Sequence, residues 1–198
     1  MRNLKRKTQT WLFAGLLGTL ICTESVSVAA EGGWTKKTDM PTKRFGISIA
    51  DAAGKLYVIG GSQSGARLST VEMYDPATDT WSAKAEMPTA RKGATAAVVA
   101  GKIYIFGGTS GQSDGAIATT EAYDTATDTW TGKTDMPTPR LGIAAVALNE
   151  KIYAIGGWGV NGAFESVVEL YDPLTDTWVR KKSSPVANGD FAFASFNG

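Results

Sequence analysis

Three arginines occupy matching places in the chain. Arg44, Arg91 and Arg140 each follow by three residues the proline of a Met-Pro pair, at Met40-Pro41, Met87-Pro88 and Met136-Pro137. A guanidinium presents a planar fork of N–H donors that fits a carboxylate. Brought together by the fold, such forks could hold a carboxylated ligand. The same recurrence also fits arginines that hydrogen-bond loop carbonyls of a neighbouring repeat, because a residue present in every unit is often part of the unit. At the fourth occurrence Ser184-Pro-Val-Ala-Asn188 puts Asn where Arg stood, so the set is not regular.

A second group lies in three connecting segments that differ from one another: Ser62–Arg67, Thr109–Ile117 and Trp158–Phe164. Variable loops on a rigid scaffold carry recognition. Arg67 closes the first. Trp158 and Phe164 frame the third, among glycines, and have no aromatic counterpart in the other two. Such a pair could stack on a sugar ring or anchor a protein partner, or fold over the adjacent repeat.

The remaining chemistry is narrow. The chain has no His and one Cys, Cys22. Histidine-based triads, disulfides and the usual zinc or copper sites are thereby excluded, and neither cofactor nor metal is expected. Glu72, Glu121 and Glu169 recur just before Tyr-Asp and read as bonding partners across repeats rather than acids. Asp79, Asp128 and Asp176 read as turn residues, too sparse for a calcium loop.

Residues 1–30 read as a signal peptide. Arg2, Lys5, Arg6 and Lys7 form a basic start, Trp11 to Ile21 an apolar run, and Val28-Ala29-Ala30 a small-residue cleavage point. The apolar run is short for a membrane span. The expected location is secreted or periplasmic, with no membrane insertion after cleavage. Removing these residues leaves 16 Lys+Arg (20 less four) against 18 Asp+Glu (19 less one). A near-neutral remainder does not favour nucleic acid.

The elements that must position these residues follow from one period. Trp34, Trp81, Trp130 and Trp178 are spaced 47, 49 and 48 residues apart, and Gly60-Gly61, Gly107-Gly108 and Gly156-Gly157 keep the same step. So do Tyr74-Asp75, Tyr123-Asp124 and Tyr171-Asp172. Each unit reads as four short strands, a to d. Strand a is a small-apolar run, and strand b is continuously apolar up to the glycines, as in a strand covered on both faces. Strand c ends at Tyr-Asp and strand d begins near the Trp. No 3.6-residue stripe is present. A four-stranded unit at this period is a β-propeller blade.

The Gly-Gly, Tyr-Asp and trailing Trp features make the chain similar to the kelch-repeat family, over nearly all of residues 34–198. The WD40 signatures are absent. The expected fold is all-β: an incomplete kelch-type propeller over residues 31–198. It comprises about three blades, roughly 44–83, 92–133 and 141–181, with single flanking strands at Trp34 and at Phe191–Phe196, the latter opening a partial fourth blade from 189. The chain reads as an N-terminal piece of a longer kelch protein.

The resemblance implies that d–a and b–c loops share one face, that strand a lines the channel, and that the arginines ring its mouth. On that basis the chain is expected to be an exported binding module, not an enzyme, that takes a protein or glycan on this face through Arg44, Arg91, Arg140, Trp158, Phe164 and Arg67. The alternative is a sugar-active kelch enzyme resembling N-acetylneuraminate epimerase (a mutarotase), with the arginines holding a carboxylated sugar.

Overall fold

A computed structural model describes residues 33–111 and 115–189. The chain divides into two compact units, Met1–Lys36 and Lys37–Gly198. The signal segment and the strand expected at Phe191–Phe196 lie outside the described residues. Residues 33–36 hold no strand, and Trp34 is fully exposed. The d strand expected to begin there is therefore absent: a strand is stable only where a ladder takes up its backbone N–H and C=O groups.

The second unit holds three antiparallel four-stranded sheets and, among the described residues, no helix. Blade 1 is β1 (Ser48–Ala52), β2 (Lys55–Ile59), β5 (Val71–Asp75) and β6 (Thr80–Lys84), paired in that order. A small hairpin, β3 (Ser62–Gln63) with β4 (Ala66–Arg67), fills its b–c connection. Blade 2 is β7 (Thr95–Val99), β8 (Lys102–Phe106), β9 (Thr120–Asp124) and β10 (Thr129–Lys133). Blade 3 is β11 (Ala144–Leu148), β12 (Lys151–Ile155), β13 (Val168–Asp172) and β14 (Thr177–Arg180). The a strands are innermost, with β7 lying against both β1 and β11.

Side-chain alternation along strand b explains the stacking. Tyr57 and Ile59 face the following blade and join Ile103, Ile105 and Tyr123 in one core. Tyr104 and Phe106 do the same against Ile152, Ala154 and Tyr171. The equivalent Tyr153 and Ile155 of blade 3 are only partly buried. On the opposite side Ile103 and Ile152 are fully buried while Leu56 of blade 1 is exposed. The residue types are the same; what differs is whether a neighbouring blade covers them.

The paired glycines are required twice over. Gly60 has φ +63°, and a Cβ there would stand 2.7 Å from the Arg91 carbonyl oxygen; Gly61 has φ +102°. Both the left-handed backbone and the approach of the next blade exclude a side chain.

Candidate functional site

The d–a and b–c connections lie on one face because the chain pairs them. Phe45, Lys92 and Leu141, just before strand a, bridge Ser62, Thr109 and Trp158, just after strand b.

The repeated arginines do not open onto that face. Arg140 Nη1 donates to the carbonyls of Gly156 (2.7 Å) and Val167 (3.2 Å), and Nη2 to Glu169 Oε2 (2.7 Å). Arg44 donates to Gly60, Thr70 and Val58 carbonyls and to Glu72. Arg91 repeats the pattern with Gly107, Thr119 and Glu121. All three guanidinium side chains are fully buried. Burial lowers their pKa, opposed by the charge of the facing glutamate, and arginine keeps its proton throughout. The second oxygen of each glutamate accepts a threonine hydroxyl: Thr42 on Glu72 (2.6 Å), Thr89 on Glu121 (2.8 Å) and Thr138 on Glu169 (2.7 Å).

These placements correct the expected arginine arc. The two terminal nitrogens of each guanidinium are taken up by carbonyls and a carboxylate of its own blade, and the Nε atoms of Arg44 and Arg91 are buried, so none presents a fork to a ligand on the loop face. The glutamates likewise bond within the blade, not across it. Crossing between blades is done by the arginine backbone: the N–H of Gly61 donates to Arg91 O (2.8 Å) and the N–H of Gly108 to Arg140 O (3.0 Å). The threonines were missed in the sequence, although Thr-x-Arg recurs with the arginines.

A second recurring cluster ties each c–d turn to the segment just before the preceding Met-Pro pair. Tyr123 donates to Asp128 Oδ1 (2.5 Å), which also accepts the N–H of Ala85 (2.8 Å), while Trp130 Nε1 donates to Ala85 O (2.9 Å). Tyr74, Asp79 and Trp81 hold Thr38 in the same way, and Tyr171, Asp176 and Trp178 hold Thr134. The bond to Asp79, with burial, pushes the Tyr74 pKa up to about 12. The aspartates are thus interblade clasps as well as turn residues.

The loop face differs at the third blade. Trp158 and Phe164 form a bridged pair with ring centroids 4.0 Å apart and planes at 42°. Phe164 is 46% exposed, and Trp158 is partly buried. In blades 1 and 2 the position of Trp158 holds Ser62 and Thr109, both fully buried. Both rings lie on Gly189, where a Cβ would come within 3.0 Å of each. Arg67 is half-buried on β4 and bonds Gly65 O (3.2 Å).

At the opposite end a cleft of about 250 Å³ is lined by Val99, Tyr104, Glu150, Pro173 and Leu174. It is smaller than the roughly 300–1,000 Å³ usual for ligand pockets. No group of His, Cys, Asp and Glu among the described residues could hold a metal ion.

Three stacked four-stranded sheets with a-strands innermost, clasped by repeated Tyr, Asp and Trp, define a sector of a β-propeller. The family model described as the KLHDC2/KLHL20/DRC7 Kelch-repeats domain matches residues 33–190, and the chain belongs to the kelch-repeat family. It is 40% identical over 47 residues to Kelch-like protein 25 of Rattus norvegicus, Mus musculus and Homo sapiens, a stretch covering 24% of this chain and 8% of those proteins. Among solved structures it is similar to one titled "Structure of YjhT", with a TM-score of 0.70 and 21% identity. That match covers 82% of this chain and 59% of the other. The chain thus spans less than two thirds of these relatives.

Proposed function

We propose that the chain is an exported binding module that holds a protein or glycan partner on its d–a/b–c loop face, centred on the third blade. Kelch propellers are commonly protein-interaction modules, which supports the general class. The observation that carries the finer reading is the Trp158–Phe164 pair: an indole stands where the other blades keep a small buried hydroxyl, and a second ring packs across from it. Large aromatic side chains are enriched among the anchors of recognition surfaces, and these two frame a variable loop and stand partly open to water. The basic start, apolar run and Val28-Ala29-Ala30 support export. The sugar-active enzyme reading loses the arginines on which it rested.

The test is site-directed photocrosslinking in the producing cells. A crosslinking amino acid replaces Val160, exposed in the third b–c loop, or Leu174, exposed at the opposite end. Discrete adducts from Val160 and none from Leu174 are expected. Adducts only from Leu174, or equally from both, would move the binding surface away from this loop. Export is checked by fusing residues 1–30 to a reporter active only outside the cytoplasm.

A further inference from the structure

The repeat serves as its own control. Leu68 and Ile117 each donate their N–H to the second glycine of strand b, Gly61 and Gly108; in blade 3 the residue in that place is Glu165, donating to Gly157 O at 2.8 Å. The partner of the Ser62 position is Arg67 in blade 1, Ala116 in blade 2 and Phe164 in blade 3. The residues at 91 and 140 are arginine, and the residue making the same backbone bonds to blade 3 is Asn188, which is exposed. The next residue, Lys92 or Leu141 elsewhere, is Gly189.

These departures meet at one spot. Asn188 N–H donates to Glu165 O (3.3 Å), Gly157 N–H donates to Asn188 O (2.7 Å), and both rings rest on Gly189. The Glu165 carboxylate folds over Gly159, where its Oε1 is 2.5 Å from the point a Cβ would occupy. An apolar residue became an acid, a buried hydroxyl became an indole, and an arginine became an asparagine. Neither blade 1 nor blade 2 needs any of these for folding.

We infer that this cluster is a binding site for a neutral pyranose, the end of an uncharged oligosaccharide. This rests on the loop-face reading above and names its ligand. The apolar C–H face of a pyranose stacks on an aromatic surface, while a carboxylate and a carboxamide take its hydroxyls. No Lys or Arg lies in the loop from Trp158 to Glu165. Arg140, whose charge acts on Glu165, is buried and already paired with Glu169, so an acidic sugar would meet the Glu165 carboxylate with that cation spent. The two rings pack on each other at 4.0 Å rather than facing across a gap, which is not the enclosing cage that suits a quaternary ammonium.

The experiment titrates the full chain with lactose, maltotriose, mannotriose and chitotriose, with sialyllactose, and with a trimethyl-lysine peptide, following tryptophan fluorescence and saturation-transfer NMR. At least one neutral oligosaccharide should bind, with sialyllactose weaker. Trp158→Ala and Phe164→Ala should each weaken binding about tenfold or more. Gly189→Ala, which crowds the rings from below, should weaken it with the melting temperature held. Leu174→Ala, at the far end, should leave it unchanged. Binding of the trimethyl-lysine peptide in place of sugars, or sugar binding indifferent to Trp158→Ala, would overturn the assignment. Val160 adducts to a protein, with no sugar bound, would leave the loop-face reading standing and remove the pyranose. Loss of both would remove both.

Discussion

Replacing Arg140 by Met tests whether the repeated arginines are internal struts. Arg140 and Glu169 are both fully buried. The substitution keeps most of the side-chain volume but leaves the Glu169 carboxylate with a single donor, the Thr138 hydroxyl at 2.7 Å. It also takes the donor from the Gly156 and Val167 carbonyls. Breaking a buried pair from one side costs about 3–5 kcal/mol. With a urea slope of about 2 kcal/mol/M, the midpoint should fall by about 1.5–2.5 M. Adding Glu169→Leu removes the stranded charge and should recover part of the loss, leaving about 1–3 kcal/mol for the orphaned carbonyls. The assay is equilibrium urea unfolding of the full chain, followed by tryptophan fluorescence, for wild type, both single variants and the double. If Arg140→Met will not fold, Glu169→Gln, which keeps an acceptor, should still shift the midpoint downward. A loss below about 1 kcal/mol for Arg140→Met, with no coupling to Glu169, would refute the strut and return Arg140 to the candidates for ligand binding.

Gly60→Ala should destabilise by about 3 kcal/mol or more, because it adds a steric clash with the next blade to the left-handed backbone, whereas Gly54→Ala, at φ +72° with open space around it, should cost only about 1–2 kcal/mol in the same unfolding assay. Trp130→Ala removes the ring packed on Tyr123 and the bond to Ala85 O and should cost about 3 kcal/mol, while Trp34→Ala should stay within about 0.5 kcal/mol. The tyrosine bonds hold the Asp79 and Asp128 carboxyls below the usual range. Their contribution is therefore full above the unfolded value near 4 and is lost as pH falls through the lower folded value; a melting temperature that already declines from pH 7 to 5 would argue against it. At the other extreme Tyr74, raised to about 12, favours the fold below pH 10 and loses that contribution as pH rises through its folded value, which ultraviolet titration of the phenolate reads directly.

Blade number, strand order and the glycine pairs were legible in the sequence because each is fixed by local pattern and period. The b strands are apolar throughout, and the structure covers them as that pattern requires. The role of the arginines was not legible from their spacing to one another. Each is paired with a glutamate 28, 30 or 29 residues downstream, across a strand and a loop of variable length. Only the joint recurrence of Thr-x-Arg with Glu-x-Tyr-Asp carried that signal. Burial was legible in kind but not in degree: Tyr104 and Tyr153 occupy the same place in their strands, and only a following blade makes one core and the other half-open. The strand expected near Trp34 failed for a related reason, since the Trp marks a d strand only where the rest of a sheet is present.

Variation at the edge of the third blade is possible because the clasp there is made by the backbone. Asn188 keeps both main-chain bonds that Arg91 and Arg140 make, one to the second glycine of strand b and one to the residue after the b–c loop. The side chain is then free to change. Where asparagine replaces the arginine, the threonine two residues before it is replaced as well, by the exposed Val186. The blades therefore separate two tasks that the sequence places side by side. Arginine, glutamate and threonine side chains hold each sheet together from within, while backbone amides on the loop face and the Tyr-Asp-Trp clasps at the c–d turns hold one sheet to the next. The contact from one blade's loop to the next runs through backbone groups there, and it is at those positions that Trp158, Phe164, Glu165 and Asn188 depart from the repeat.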